Sequence, residues 1–382
     1  MQSTTAFRVP SGFINFSLDS RKRRYLATSA PIVDEIFSTL EFHSEIDEIG
    51  LKFFQAKAGC SEDESKIIYP KFQAFVRQAK TFFVPAETLH HRARPLFYYY
   101  AFLNLGKALL CVKNPQLFLS SDKFSHGIFE SHIGNEFTKE GVIISHQGIF
   151  VEIYKALTGL KFPNNSSLNI VEMLRYSTDI SYDYESQTAS DLNIARGKCR
   201  LCLDAESKNK WLVMGMLGFS ELEAKNAAAL NLFHSLFEEV KIGPEISERL
   251  FGLMNTELPS WRFFQTRKSF PNSEDGHKLF SSELKPAFSR YFEASIYEEP
   301  IEFHLSLPLG NGFEFPWSQF LAGYTVYFYL GSLVRYHPAY LEKLLRTKHS
   351  WRLEAFTKSA SNTLLRQALS LILGELYIFK CR

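Results

Sequence analysis

Between Phe315 and Val334 the chain runs for 20 residues without a charged side chain. A stretch of about that length has two physical fates: it crosses a bilayer core, or it becomes a helix enclosed on every side by other protein. Its content favours the second. Ser318, Gln319, Gly323, Tyr324, Thr325, Tyr327, Tyr329, Gly331 and Ser332 interrupt the run, and each lowers the transfer gain that membrane insertion needs. The rest of the sequence must then supply a shell around a buried helix. Its means are aromatic: 36 Phe and 17 Tyr, against 5 Met and 4 Trp, build a core from large rings.

Helical spacing starts at Pro31, where IVDEIFSTLEF repeats apolar residues at three- and four-residue intervals. Ser61 and Glu64 form an S-x-x-E capping box, which predicts a helix through IIYPKFQAFVRQAKTFF with Pro70 early in it or kinking it. After Pro95, LFYYYAFLNLGKALLCV predicts a long, largely buried helix whose only charge before Lys113 is Lys107. Residues 114–147 are irregular and read as a long loop with short elements. GIFVEIYKALTGL returns to helix, and the Asn-Asn-Ser-Ser run at 164–167 offers an N-cap for LNIVEMLRY. The stretch KCRLCLDAESKNKWLVMGM alternates on either side of a polar turn and predicts a hairpin, followed by helix over 221–240. Turn signals over 261–312 surround FEASIYEE and IEFHLSL, where strands are expected. PAYLEKLL and a run from about Trp351 to Leu373 complete the helices. The expected fold is mainly α, an irregular multi-helix assembly with a small β hairpin or sheet element in the C-terminal half. The expected regions are 1–190, helical; 191–256, hairpin plus helix; 257–312, β-containing; and 313–382, helical. One integrated domain is the alternative.

A net charge of +2, from 43 basic and 41 acidic side chains, provides no global field for a nucleic acid or a membrane surface. Such binding needs a local patch. The opening MQSTTAFRVPSGF has neither the basic and apolar regions of a signal peptide nor a transit-peptide pattern, so no export is expected. Five scattered cysteines, an odd number, differ from a secreted disulfide framework and point to a reducing cytoplasm.

The blocks PLFYYYAFLNLGKALL (95–110) and FPWSQFLAGYTVYFYLGSLVRYHPAYLEKLL (315–345) stand in the order found in the YaaC-like proteins of bacteria, which the chain resembles. The second block, an uncharged helix ending in Arg-Tyr-His-Pro, is the more specific. The resemblance implies a bacterial, cytosolic protein without an established reaction, so no catalytic residue is carried over. Some relatives lie among bacterial antiviral genes, which implies a role in defence.

Several basic groups are candidates for a site. Arg335 and His337 stand at the end of the uncharged helix, where cations also interact favourably with the helix dipole. Functionally, Arg335 would grip a phosphate and His337 would act as acid or base, making these two the catalytic candidates. His90, His91, Arg92 and Arg94 precede the long helix and, with Arg335, are the candidate ligand-binding residues. Arg21-Lys22-Arg23-Arg24 is the densest basic run; a solvated surface explains it as well as phosphate binding does. His126, His132 and His146 lack a recognisable ligand spacing, so no metal site is expected. Cys199 and Cys202 on a strand would point to opposite faces and are read as structural. The P-loop, dinucleotide, zinc-protease and nucleophile-elbow motifs are absent, as is the Arg-x(4–6)-His signature of HEPN ribonucleases. No cofactor is expected. The expected function is a non-enzymatic or ligand-sensing subunit of a bacterial, antiviral assembly, with a protein partner or a second copy and no membrane. The alternative is an RNA- or nucleotide-processing enzyme with an atypical Arg/His site, which requires the 90–94 and 335–337 clusters to meet.

Overall fold

The uncharged run forms the helix Gln319–Tyr336, in which every residue from Gln319 to Leu333 is buried. In a computed structural model that describes residues 6–15, 23–120, 124–131, 136–163, 166–180, 193–294, 303–309 and 317–381, this helix is enclosed by protein. Several of its polar residues are hydrogen-bonded within the protein. Thr325 donates to the Leu321 carbonyl at 2.8 Å, Gln319 donates to Thr178 at 2.7 Å, and Gln367 donates to Gln319 at 2.8 Å. The helix Arg94–Lys113 is long and apolar enough to cross a membrane, and it too is mostly buried in protein.

Packing divides the chain into two units: Lys22–Thr188 with Ser318–Arg382, and Met1–Arg21 with Ala189–Trp317. The first is helical. Gln319–Tyr336 lies against Arg94–Lys113 through rings: Tyr327 stacks on Phe102 at 5.4 Å, and Phe328 meets Tyr99 edge-on at 5.3 Å. On its other side Gly323 lets Ser350–Leu373 approach, since a Cβ there would stand 2.2 Å from Leu364 Cδ1. The Ser61 capping box is present in both directions and starts Glu62–Ala86, which passes through Pro70 without a break. This helix pairs with Arg94–Lys113 through Phe82 stacked on Tyr100 and Phe83 tilted against Tyr98.

The second unit corrects the expectation of a mainly α fold with a small β element. It holds an eight-stranded sheet, making the protein a mixed α/β structure. The hairpin of Ile194–Leu203 and Asn209–Leu217 is the centre of that sheet, flanked by Phe303–Ser306 and Trp261–Thr266 and extended by Gly12–Asn15 from the far N-terminus. Its extent was hidden because Asn209–Leu217 is buried on both faces, so it reads as a continuous apolar run instead of alternating. The expected helix over 221–240 breaks at Asn226 and ends in the strand Phe237–Val240. Cys199 packs in the cluster with Met214 and Phe264, and Cys202 in that with Trp211 and Phe263, on opposite faces of the sheet.

The helical unit also carries a small sheet. Residues 114–147, expected as a long loop with short elements, contain strands Ile128–Ser131 and Gly141–Ile144, which join Ser167–Asn169 in a three-stranded sheet. Asn164 and Asn165 lie outside the described residues, and the N-cap of the following helix is Asn169, which accepts from Glu172 N at 3.0 Å. Strands of three and four residues leave too short a pattern to separate from a loop.

Candidate functional site

Helix Arg94–Lys113 has one less buried face, carrying Phe97, Tyr100 and Lys107. Tyr100, stacked on Phe82 at 5.1 Å, accepts a hydrogen bond of 2.8 Å from Arg335 Nη1. The guanidinium lies 5.5 Å from the Tyr100 ring, 5.8 Å from Tyr99 and 4.8 Å from Tyr336, so three aromatic faces hold it. Its Nε is buried without a partner, and Arg335 has no acidic partner among the described residues.

His126 stands beside it, sharing a 2.7 Å hydrogen bond with the Tyr99 hydroxyl. Its placement comes from two glycines. Gly127 at φ +73° and Gly148 at φ +127° pack backbone to backbone, and Phe150 N donates to the His126 carbonyl at 3.2 Å. A Cβ on Gly148 would lie 2.4 Å from Gly127 Cα. Burial first, then the nearby charges of Lys107 and Arg335, hold the His126 imidazole below its usual pKa. Burial also depresses Lys107, whose ammonium rests 5.3 Å from the Phe75 ring and has no acidic partner among the described residues. Two half-buried cations and an imidazole thus stand near one another, and neither cation has a carboxylate partner among the described residues. Half-buried charge left unpaired is costly, and an arriving anion removes part of that cost.

His337 faces the other way, with Nε2 3.8 Å from Glu130 Oε1, while Ser332 donates to the second Glu130 oxygen at 3.4 Å. The 90–94 cluster is spent largely on structure. Arg94 donates to the carbonyls of Glu87 and Leu89 at 3.1 and 3.0 Å, closing the end of Glu62–Ala86. Arg92 makes a two-pronged pair with Glu342 at 2.5 and 3.2 Å. His90 and His91 lie with ring centres 4.1 Å apart. Arg92 thus reaches the helix that follows 335–337, and Arg335 reaches the helix that follows 90–94, but among the described residues no hydrogen bond or ion pair joins the two clusters directly. The space beside His91 and Arg92 is about 20 Å³, room for a single water, and none of Arg335, Tyr336 and His337 lines it.

Of the other candidates, Arg24 pairs with Glu375 at 2.6 Å beside the parallel strands Arg23–Thr28 and Leu376–Cys381, whereas Arg21 and Lys22 lie outside the described residues. His132 also lies outside them, and among the described residues no group of three or more His, Cys, Asp or Glu is placed to hold a metal. Burial pushes the Cys202 thiol up to about 12, far from the thiolate that a ligand or nucleophile needs.

Sequence reasoning missed a cleft of about 360 Å³ between residues 136–138 and 340–349. Tyr340, Lys343, Lys348 and His349 line it, and the Tyr340 hydroxyl donates at 2.8 Å to the fully buried Glu140. The signal available was Lys343 at the end of one helix and Lys348-His349 at the start of the next.

A family model described as YaaC-like Protein matches residues 51–376. The chain belongs to the YaaC-like family. The matched range takes in most of both units and includes Lys107, His126, Arg335 and the residues that line the cleft, whereas the strand Gly12–Asn15 lies outside it. No curated protein and no solved structure matches the chain.

Proposed function

We propose that this YaaC-like protein is a ligand sensor that binds an oxyanion at Lys107, His126 and Arg335 without turning it over. The observation that carries the reading is the absence of any carboxylate partner, among the described residues, for Lys107 and Arg335 on one aromatic-floored surface. A planar guanidinium fixed by rings is suited to selecting an anion rather than merely attracting it. The test is calorimetric titration of the full chain with inorganic pyrophosphate. Arg335→Gln and Lys107→Met, each confirmed folded by circular dichroism, are expected to weaken binding at least tenfold. Dissociation constants within twofold of wild type would overturn the reading.

A second reading is favoured by the Tyr99–His126 hydrogen bond, which holds one imidazole nitrogen and leaves the other for general acid or base work on a bound phosphate. It predicts turnover. Phosphate released from pyrophosphate or RNA and abolished by His126→Ala would favour this enzymatic reading; binding without release favours the sensor.

A further inference from the structure

The cleft between 136–138 and 340–349 shares no residue with the Arg335 surface. Its form follows from local chain geometry. Helix Pro338–Leu344 unwinds through turns in which Arg346 N donates to the Lys343 carbonyl and Thr347 N to the Leu344 carbonyl. The chain then enters Ser350–Leu373 at His349, and Lys343, Lys348 and His349 line the cleft together.

The charge balance in the lining is one-sided. Lys343 and Lys348 have no acidic partner among the described residues, and the one acid in the lining, Glu136, is ion-paired with Lys139. Helix Ser350–Leu373 adds its positive end, with no acidic residue in its first turn and no side-chain cap from His349. The His349 Nδ1 atom is buried without a partner, and its ring stands 5.0 Å from Phe137. Phe137 and Leu344 give the cleft an apolar side, while Tyr340, tied to buried Glu140, gives it a fixed polar wall.

We infer that this cleft is a second binding site, for a small phosphomonoester carrying a planar ring, of nucleoside monophosphate size. The phosphate would be held by Lys343, Lys348 and His349, and the ring would lie against Phe137 and Leu344. A cleft of about 360 Å³ is at the small end of the roughly 300–1,000 Å³ typical of small-molecule sites and is matched in size by a nucleoside monophosphate. Burial, then Arg352 and Lys348, depress the His349 imidazole, and a bound phosphate dianion would offset that shift.

The test titrates the full chain calorimetrically with AMP, adenosine and inorganic phosphate. AMP is expected to bind, and the other two at least tenfold more weakly. The Lys343→Ala/Lys348→Ala double variant, whose exposed side chains can be removed without disturbing the core, should lose at least tenfold in AMP affinity. Every titration is run on wild type and in the Arg335→Gln background, so that binding at the Arg335 surface proposed above is removed and only AMP binding that persists there and is lost in the Lys343→Ala/Lys348→Ala variant is assigned to the cleft. The inference is overturned if, in the Arg335→Gln background, AMP does not bind, if the double variant binds as its parent does, or if inorganic phosphate or adenosine equals AMP.

Discussion

Arg262 in the sheet unit joins two acids at once. It is bidentate to Glu239 at 2.9 and 2.6 Å and reaches Glu223 at 2.6 Å, with its guanidinium 5.1 Å from the Phe219 ring and 5.4 Å from Phe264. Hydrogen bonds to charged groups contribute about 1.5–3 kcal/mol when buried. Here the three side chains are 21%, 36% and 30% exposed, so solvent screening removes much of that. Adding roughly 0.5–1 kcal/mol for the ring contacts, Arg262→Ala should cost about 2–4 kcal/mol. For a unit of about 150 residues this corresponds to a fall in Tm on the order of 10 °C by scanning calorimetry. Lys268→Ala is the control. It removes a 3.0 Å pair with Glu283 in which the lysine is 70% exposed, and should cost less than about 0.5 kcal/mol. Equal shifts for the two variants would refute the reasoning, because they would show that the fork between two acids contributes no more than an exposed pair.

Two further outcomes follow from local chemistry. Ser61→Ala removes the hydroxyl that accepts from Glu64 N at 3.2 Å and should cost about 1 kcal/mol, read as a lower urea midpoint; an unchanged midpoint would contradict the cap. His43, His126 and His349 all have depressed imidazoles, chiefly from burial. The unfolded chain therefore takes up protons that the folded chain resists, and stability without ligand should fall as pH drops through about 6.5. His43→Leu should flatten that slope in urea melts at pH 5.5 and 7.5, and a slope as steep as wild type would count against His43 as a source.

How much was legible differed between the units for physical reasons. In the helical unit, the capping box at Ser61 and the uncharged run at 315–334 are local signals with local causes, and both helices formed where those signals stand. The eight-stranded sheet was not legible as such. Gly12–Asn15 pairs with Ile194–Leu203 across more than 180 residues, and no local pattern encodes such a partner. Arg335 was identifiable as a rigid cation at a helix end, but the residues that complete its surface, Lys107 and His126, stand on a different helix and just before the strand Ile128–Ser131. Their depressed imidazole and ammonium arise from packing that sequence spacing does not display. The cleft was invisible for the same reason, since Phe137 and His349 meet only in the folded chain.

The central claim is that Lys107, His126 and Arg335 form an oxyanion site, and a crystal structure of the protein grown with sodium tungstate tests it most directly. Tungsten scatters anomalously, so an oxyanion is placed without reference to the surrounding density. The account predicts an anomalous peak within hydrogen-bond reach of Arg335 and His126, lost in crystals of Arg335→Gln. Tungstate bound elsewhere on the protein, with this surface empty at a saturating concentration, would contradict it.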